Sequence, residues 1–174
     1  MNLLKLAAVI AVLLPFGAVA GDHNEHTQAP SQQAPSQAGN IRIDQPWVRE
    51  TPKGAQAGAA YMALSNTGAA PDRLLGGSSP MADKVELHTH IDDNGVMRMR
   101  KIDAVEIAPG EPSVLRPGGM HIMLIGLKGQ IKQGTPVPLT LRFERGGEVT
   151  ISMPVAGPGA MEPPHGHDDQ EHKH

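Results

Sequence analysis

Alternating apolar and polar positions predict β-strands along the middle of the chain. In residues 137–143 (VPLTLRF) and 149–155 (VTISMPV), apolar side chains occupy every second position, as expected of a strand with one buried face. Arg145-Gly146-Gly147 between them predicts a hairpin turn. The same reasoning predicts five more strands, near 41–48, 59–65, 85–91, 96–105 and 121–126.

Turn sequences separate these strands, and no amphipathic helix follows the first 20 residues. The turns contain the residue pairs and triplets that favour reversals, namely Asn66-Thr67-Gly68, Asn94-Gly95, Pro109-Gly110 and Pro117-Gly118-Gly119. Seven or so short strands at this spacing predict an all-β fold, a Greek-key sandwich or barrel.

Both ends of the chain differ in composition from this middle part. Residues 1–20 have a basic residue, a nine-residue apolar run and the small-residue sequence Ala18-Val19-Ala20, which is typical of a cleaved signal peptide. Nine apolar residues are too few for a membrane-spanning helix. The Pro-, Gln- and Ser-rich residues 21–40 and the His-rich residues 157–174 predict a disordered linker and tail. We therefore expect one domain, 41–156, in an exported periplasmic protein with no membrane span after cleavage.

Composition excludes several classes of function. The net charge of −3 and the pI near 6.3 argue against a nucleic-acid partner. The absence of cysteine excludes disulfides, thiolate metal sites, cysteine nucleophiles and a lipid anchor on cysteine. No nucleophile–base pair or carboxylate pair is recognisable, and the three histidines of the domain are too few for a copper–zinc dismutase site. We expect a protein that is not an enzyme.

The sequence VELHTHIDDNGVMRMR concentrates candidate metal ligands around one turn. If Asn94-Gly95 is a two-residue loop, His90 faces Met99; if the loop spans 92–95, His88 faces Met99 instead. Either register leaves four candidate ligands on one face of the hairpin, namely His88, His90, Met97 and Met99. Two more candidates, His121 and Met123, share a face of a later strand. One further strand beside the hairpin would therefore complete a site with two nitrogen and two sulfur ligands.

The ligand types indicate which metal such a site would select. Thioether sulfur favours Cu(I), and imidazole accepts copper in either oxidation state. Methionine is not a usual zinc ligand, and a blue-copper electron carrier requires a cysteine. The residues therefore favour Cu(I).

The spacing of these residues resembles the PCu(A)C family of periplasmic copper chaperones. The family motif is His, ten residues, Met, twenty-one residues, His-x-Met, and it fits His88, Met99, His121 and Met123 without a gap. The flanking sequences, including QPWVRETPKGAQAGAAYM and LTLRFERGGEVTISMPV, are similar to the family as well. The resemblance implies a cupredoxin-like β-barrel, one exposed Cu(I) ion, and donation of copper to the copper centres of cytochrome c oxidase through an oxidase subunit or another copper-transfer partner. Many members have methionine where this chain has His90, so His90 is a further candidate ligand, for Cu(I) or for Cu(II).

The two terminal segments carry additional histidines. Cleavage after Ala20 would leave Gly21-Asp22-His23 at the new amino terminus, where the amine, two amides and the His23 imidazole suit square-planar Cu(II). The tail histidines His165, His167, His172 and His174 predict a loose Cu(II)-collecting segment. A chain with such tails could alternatively serve periplasmic copper buffering or resistance.

Overall fold

The structure is a computed structural model, and it describes residues 36–164. These residues form twelve strands and no helix, which confirms the all-β prediction. The strands are β1 (Ser36–Ala38), β2 (Ile41–Arg49), β3 (Ala57–Asn66), β4 (Asp72–Ser78), β5 (Ala82–Asp93), β6 (Val96–Ile102), β7 (Val105–Ile107), β8 (Ser113–Leu115), β9 (His121–Leu127), β10 (Val137–Phe143), β11 (Glu148–Met153) and β12 (Val155–Ala156).

The strands form one strongly curved sheet. Its order is β1-β2-β3-β9-β5-β4-β10-β11, with β6 added beside β5, β7 beside β4, and β8 beside β3. The chain after β11 returns to the other end of the sheet, where β12 pairs parallel with β2. Backbone hydrogen bonds from Val48 N to the Pro154 oxygen (3.0 Å) and from Glu50 N to the Ala156 oxygen (2.8 Å) join the two ends. The sheet therefore closes on itself as a barrel.

The barrel interior holds the alternating apolar side chains that the sequence pattern identifies. Leu64, Leu87, Leu124 and Leu141 come from four different strands, and none is more than 2% exposed. Because side chains alternate between the two faces of a strand, the residues between them point away from this core. On β5 and β9, those outward positions carry the histidines and Met123.

All seven predicted strands are present, although two of them are divided. The predicted strand 96–105 ends at Ile102, and β7 follows after a short break; the predicted strand 149–155 is divided into β11 and β12. Strands β1, β4 and β8 were not predicted. β1 and β8 have only three residues each, and β4 contains Gly76 and Gly77, a residue type that is depleted in strands.

The predicted linker and tail need correction where they meet the barrel. Ser36–Ala38, inside the predicted linker, pairs antiparallel with β2. Residues 157–164, inside the predicted tail, include Ala160, whose oxygen accepts hydrogen bonds from Arg49. The rest of the predicted signal peptide, linker and tail lies outside the described residues. Within 36–164, no helix is long and apolar enough to cross a membrane.

Candidate metal centre

The β5–β6 hairpin turns through a two-residue loop. Asn94 and Gly95 both have positive φ, 55° and 82°, as a tight type I′ hairpin requires. Asp92 Oδ1 accepts a hydrogen bond from the Gly95 amide at 2.6 Å and supports the turn. The register places His90 opposite Met99, which is the first of the two registers considered from the sequence.

Strand β9 lies on the other side of β5 and contributes the second half of the site. His121 is the direct partner of His88, and Met123 is the partner of Glu86. On the β6 side, Lys101 is opposite His88, so Met99, two residues before Lys101, is the diagonal neighbour of His88. Cβ atoms of diagonal neighbours are about 7–8 Å apart, within reach of long side chains. His88 therefore has His121 directly beside it, with Met99 and Met123 one diagonal step away on either side.

One backbone carbonyl orients two of the imidazoles. The Gly119 oxygen lies 2.9 Å from Nδ1 of His121 and 3.4 Å from Nδ1 of His90. The ring centroids of these two histidines are 5.1 Å apart, and those of His88 and His121 are 6.0 Å apart. The fold therefore brings three imidazoles together, two of them with Nδ1 turned toward the same carbonyl.

Glu86 holds the third imidazole. Its Oε2 lies 3.0 Å from Nε2 of His88, and its Oε1 accepts a hydrogen bond from Lys101 Nζ at 3.1 Å. The hydrogen bond from His88, followed by the one from Lys101, lowers the pKa of Glu86. Nδ1 of His88 is buried and has no hydrogen-bond partner among the described residues.

Exposure differs sharply across the site. His121 is only 3% exposed, whereas Met99 is 46% exposed and Met97 is 58% exposed. Burial lowers the pKa of His121, and the neighbouring His90 and His88 lower it further against the opposing effect of the Gly119 hydrogen bond. The lowered pKa favours the neutral form of His121, in which an imidazole binds a metal.

A wall of aromatic rings adjoins His121. The Tyr61 ring centroid is 6.4 Å from that of His121, and Trp47 packs on Tyr61 with ring centroids 4.5 Å apart. Trp47 and Tyr61 form a separate buried cluster with Ala156, outside the main core. The spacing of histidines and methionines that predicts the site includes neither Tyr61 nor Glu86. The strand alternation would have indicated Glu86, two residues before His88, but Tyr61 depends on the pairing of β3 with β9.

The donor set of the described residues fits a mixed nitrogen and sulfur site. Among residues 36–164, no three histidine, aspartate or glutamate side chains are arranged to hold a metal ion by themselves. His23 and the tail histidines, proposed from the sequence as Cu(II) ligands, lie outside the described residues.

Comparison with known proteins assigns the family. The model of the LpqE-like family, described as "Putative lipoprotein LpqE-like", matches residues 41–155. The chain belongs to this family. It is the PCu(A)C family that the spacing of the histidines and methionines resembles, so the resemblance is confirmed.

Two relatives match this PCu(A)C protein over two thirds or more of its length. "Putative lipoprotein Lxx21020" of Leifsonia xyli is 32% identical over 155 residues, 88% of this chain and 90% of its own length. "Uncharacterized protein RP573" of Rickettsia prowazekii is 31% identical over 120 residues, 67% of this chain and 66% of its own length. Although lipoprotein is part of the family's description, the sequence of this chain contains no cysteine to carry a lipid.

Solved structures confirm the cupredoxin-like barrel expected for a PCu(A)C domain. The copper-bound PCuAC domain from PmoF2 is 30% identical, has a TM-score of 0.63, and covers 72% of this chain and 99% of its own. The solution structure of CuI-DR1885 from Deinococcus radiodurans is 27% identical, has a TM-score of 0.54, and covers 71% of this chain and 80% of its own. Both of these relatives hold copper.

Proposed function

We propose that this protein is an exported, periplasmic copper chaperone. It binds one Cu(I) ion through His88, Met99, His121 and Met123 and delivers the ion to the copper centres of cytochrome c oxidase. Copper is its cargo, and no substrate is chemically converted. The ion is bound by two imidazoles, which accept copper in either oxidation state, and by two thioethers, which prefer Cu(I).

The arrangement on β5, β6 and β9 is the observation that carries this proposal. His88 lies beside His121 and diagonal to Met99 and Met123, so all four motif residues surround one position on one face of the sheet. Related domains of 27–30% identity hold copper. The mixed donor set favours the reduced ion, because thioethers are soft ligands.

Unequal exposure of the ligands suits release of the ion to a partner. His121 is buried and held by a carbonyl, whereas Met99 is half exposed on a strand that pairs only with β5 among the described residues. A ligand on an acceptor protein can approach from the β6 side while the imidazoles still hold the metal. Met97 is exposed on the same face of the hairpin as Met99, and the two side chains provide apolar surface of the kind that protein partners use.

A transfer assay tests delivery. The Cu(I)-loaded protein is mixed with the apo form of the soluble copper domain of the oxidase, and copper is measured on each after separation. We expect transfer that depends on Met99 and Met123, and reduced oxidase activity in a strain lacking the protein. Copper sensitivity of that strain with normal oxidase activity would instead assign the protein to buffering or resistance.

A further inference from the structure

We infer that Glu86 is a positioning residue that selects the nitrogen with which His88 binds copper. In this arrangement His88 binds through Nδ1, whereas His121 binds through Nε2. The inference rests on the proposed function, because it specifies how two of the proposed ligands present their lone pairs. It assigns a role to a residue outside the His-Met motif.

The hydrogen bond between Glu86 and His88 determines where the imidazole proton lies. An ionised carboxylate can only accept hydrogen bonds, so at 3.0 Å from Glu86 Oε2 the Nε2 atom of a neutral His88 carries the hydrogen. The other carboxylate oxygen is engaged by Lys101, the cross-strand partner of His88. Both carboxylate oxygens of Glu86 therefore have a hydrogen-bond partner.

The remaining nitrogen of His88 is left with an unused lone pair. Nδ1 is buried and has no donor among residues 36–164. Buried polar atoms are nearly always paired, and one that is not calls for an explanation such as a binding site for an ion. A copper ion at this face would pair with the Nδ1 lone pair.

His121 is oriented in the opposite sense. Its Nδ1 lies 2.9 Å from the Gly119 oxygen, and a carbonyl, like a carboxylate, only accepts hydrogen bonds. Nδ1 of neutral His121 therefore carries the hydrogen, and Nε2 is the nitrogen left for metal. The two central histidines are held as opposite tautomers by two different acceptors.

A carboxylate or carbonyl that accepts a hydrogen bond from a metal-binding imidazole orients the ring and raises its basicity. Loss of such an acceptor typically lowers metal affinity by about 10- to 100-fold. A glutamine at position 86 has nearly the size of glutamate, but its amide can either accept from or donate to Nε2. Glu86→Gln should therefore keep the packing while releasing His88 from a single tautomer.

Long-range ¹H–¹⁵N correlation NMR of the full chain, labelled with ¹⁵N-histidine, tests the assignment. Spectra are recorded near pH 7.5 for the metal-free protein and anaerobically with one equivalent of Cu(I), which is diamagnetic; His88→Gln identifies the His88 signals. We expect His88 to be Nε2–H in both states, with the copper-dependent shift on Nδ1. A copper-dependent shift on Nε2 of His88 would overturn the inference.

The Glu86→Gln variant supplies the second readout, with Glu106→Gln as the matched control. Glu106 is 72% exposed at its side chain and belongs to an ion pair with Arg73. We expect Glu86→Gln to show mixed His88 tautomers and about 10- to 100-fold weaker Cu(I) binding, with Glu106→Gln like the parent. Unchanged tautomer and affinity in Glu86→Gln would refute the role of Glu86. If the parent protein itself does not bind Cu(I), the proposed function fails instead, so the two failures are distinguishable.

Discussion

At the scale of single residues, the proposed ligands differ in exposure and in freedom to move. His121 is buried and its hydrogen-bond partner is the Gly119 backbone, so it is fixed by the fold. Met99 is half exposed and flexible, with three rotatable bonds in its side chain. Loss of Met99 should therefore affect the bound ion and leave the barrel intact.

Met99→Leu is expected to weaken Cu(I) binding at least about tenfold, which corresponds to about 1.4 kcal/mol. Leucine keeps the apolar volume but lacks the sulfur that Cu(I) prefers. Competition titration with a chromogenic Cu(I) chelator at pH 7 measures the change.

Met97→Leu is the matched control for this substitution. Met97 lies on the same face of the same strand and is more exposed than Met99, but the family motif does not include it. Its replacement should leave the affinity unchanged. If Met97→Leu weakened binding and Met99→Leu did not, the assignment of the sulfur ligand would be wrong.

At the scale of strands and turns, the alternation of side chains along a strand predicts which residues share a face, even when the pairing of the strands is unknown. His88, His90 and Met99 could be placed on one face because every second residue of a strand points the same way. Their neighbours across strands could not be deduced, because the pairing of β9 with β5 and of β3 with β9 joins segments far apart in sequence. The contacts of His121 with Tyr61 and of His90 with the Gly119 carbonyl follow from that pairing.

Asp72 shows how a side chain that the sequence does not single out fixes one element to another. This carboxylate is 5% exposed and accepts hydrogen bonds from the amides of Arg73 (2.7 Å), Arg145 (2.9 Å) and Gly146 (2.8 Å). It therefore joins β4 to the β10–β11 turn. Burial alone would raise the pKa of Asp72, but the three amide donors outweigh it, and the net effect is a lowered pKa.

Asp72→Asn should destabilise the protein by about 1–3 kcal/mol, because an amide NH₂ cannot accept hydrogen bonds from backbone N–H groups. The lowered pKa adds a pH dependence with a definite sign. The stabilisation from ionised Asp72 is present above the ordinary value of about 3.9 and is lost as the pH falls through the lower folded value. Urea unfolding between pH 2 and 7 should show this acid-side loss in the parent and a smaller one in Asp72→Asn.

Asp83→Asn is the control, since Asp83 is 68% exposed at its side chain and has one ion pair, with Lys128 at 3.7 Å. Its stability should stay within about 0.5 kcal/mol of the parent. Equal effects of the two substitutions would contradict the role given to the Asp72 hydrogen bonds.

At the scale of the whole molecule, the end of the described chain covers the aromatic wall beside the metal site. Ala160 packs on the cluster of Trp47 and Tyr61, and its oxygen accepts hydrogen bonds from Arg49 Nε (3.1 Å) and Nη2 (2.5 Å). The Arg49 guanidinium also lies 5.5 Å from the Tyr61 ring centroid, within the range of a cation–π contact. The segment 157–164 is thus part of the folded structure and not only a tether for the histidines that follow it.

Truncation after Gly157 should expose Trp47, which is the only tryptophan of the chain and is 3% exposed. We expect its fluorescence emission to shift to longer wavelength and acrylamide quenching to increase. The free energy of unfolding should fall by about 1–3 kcal/mol, as expected for loss of hydrogen bonds to a charged group. A chain truncated after Pro164 keeps Ala160 and should resemble the parent; a shift of equal size there would refute the covering role of Ala160.

The proposed metal site lies on the outer face of the barrel, beside β6, which pairs only with β5 among the described residues. X-ray absorption of the full chain, loaded anaerobically with slightly less than one equivalent of Cu(I), identifies the atoms that bind the ion. We expect copper with both nitrogen and sulfur neighbours, and loss of the sulfur scattering when Met99 and Met123 are both replaced by leucine. Copper surrounded by nitrogen or oxygen alone in the parent protein would rule out binding by histidine and methionine together.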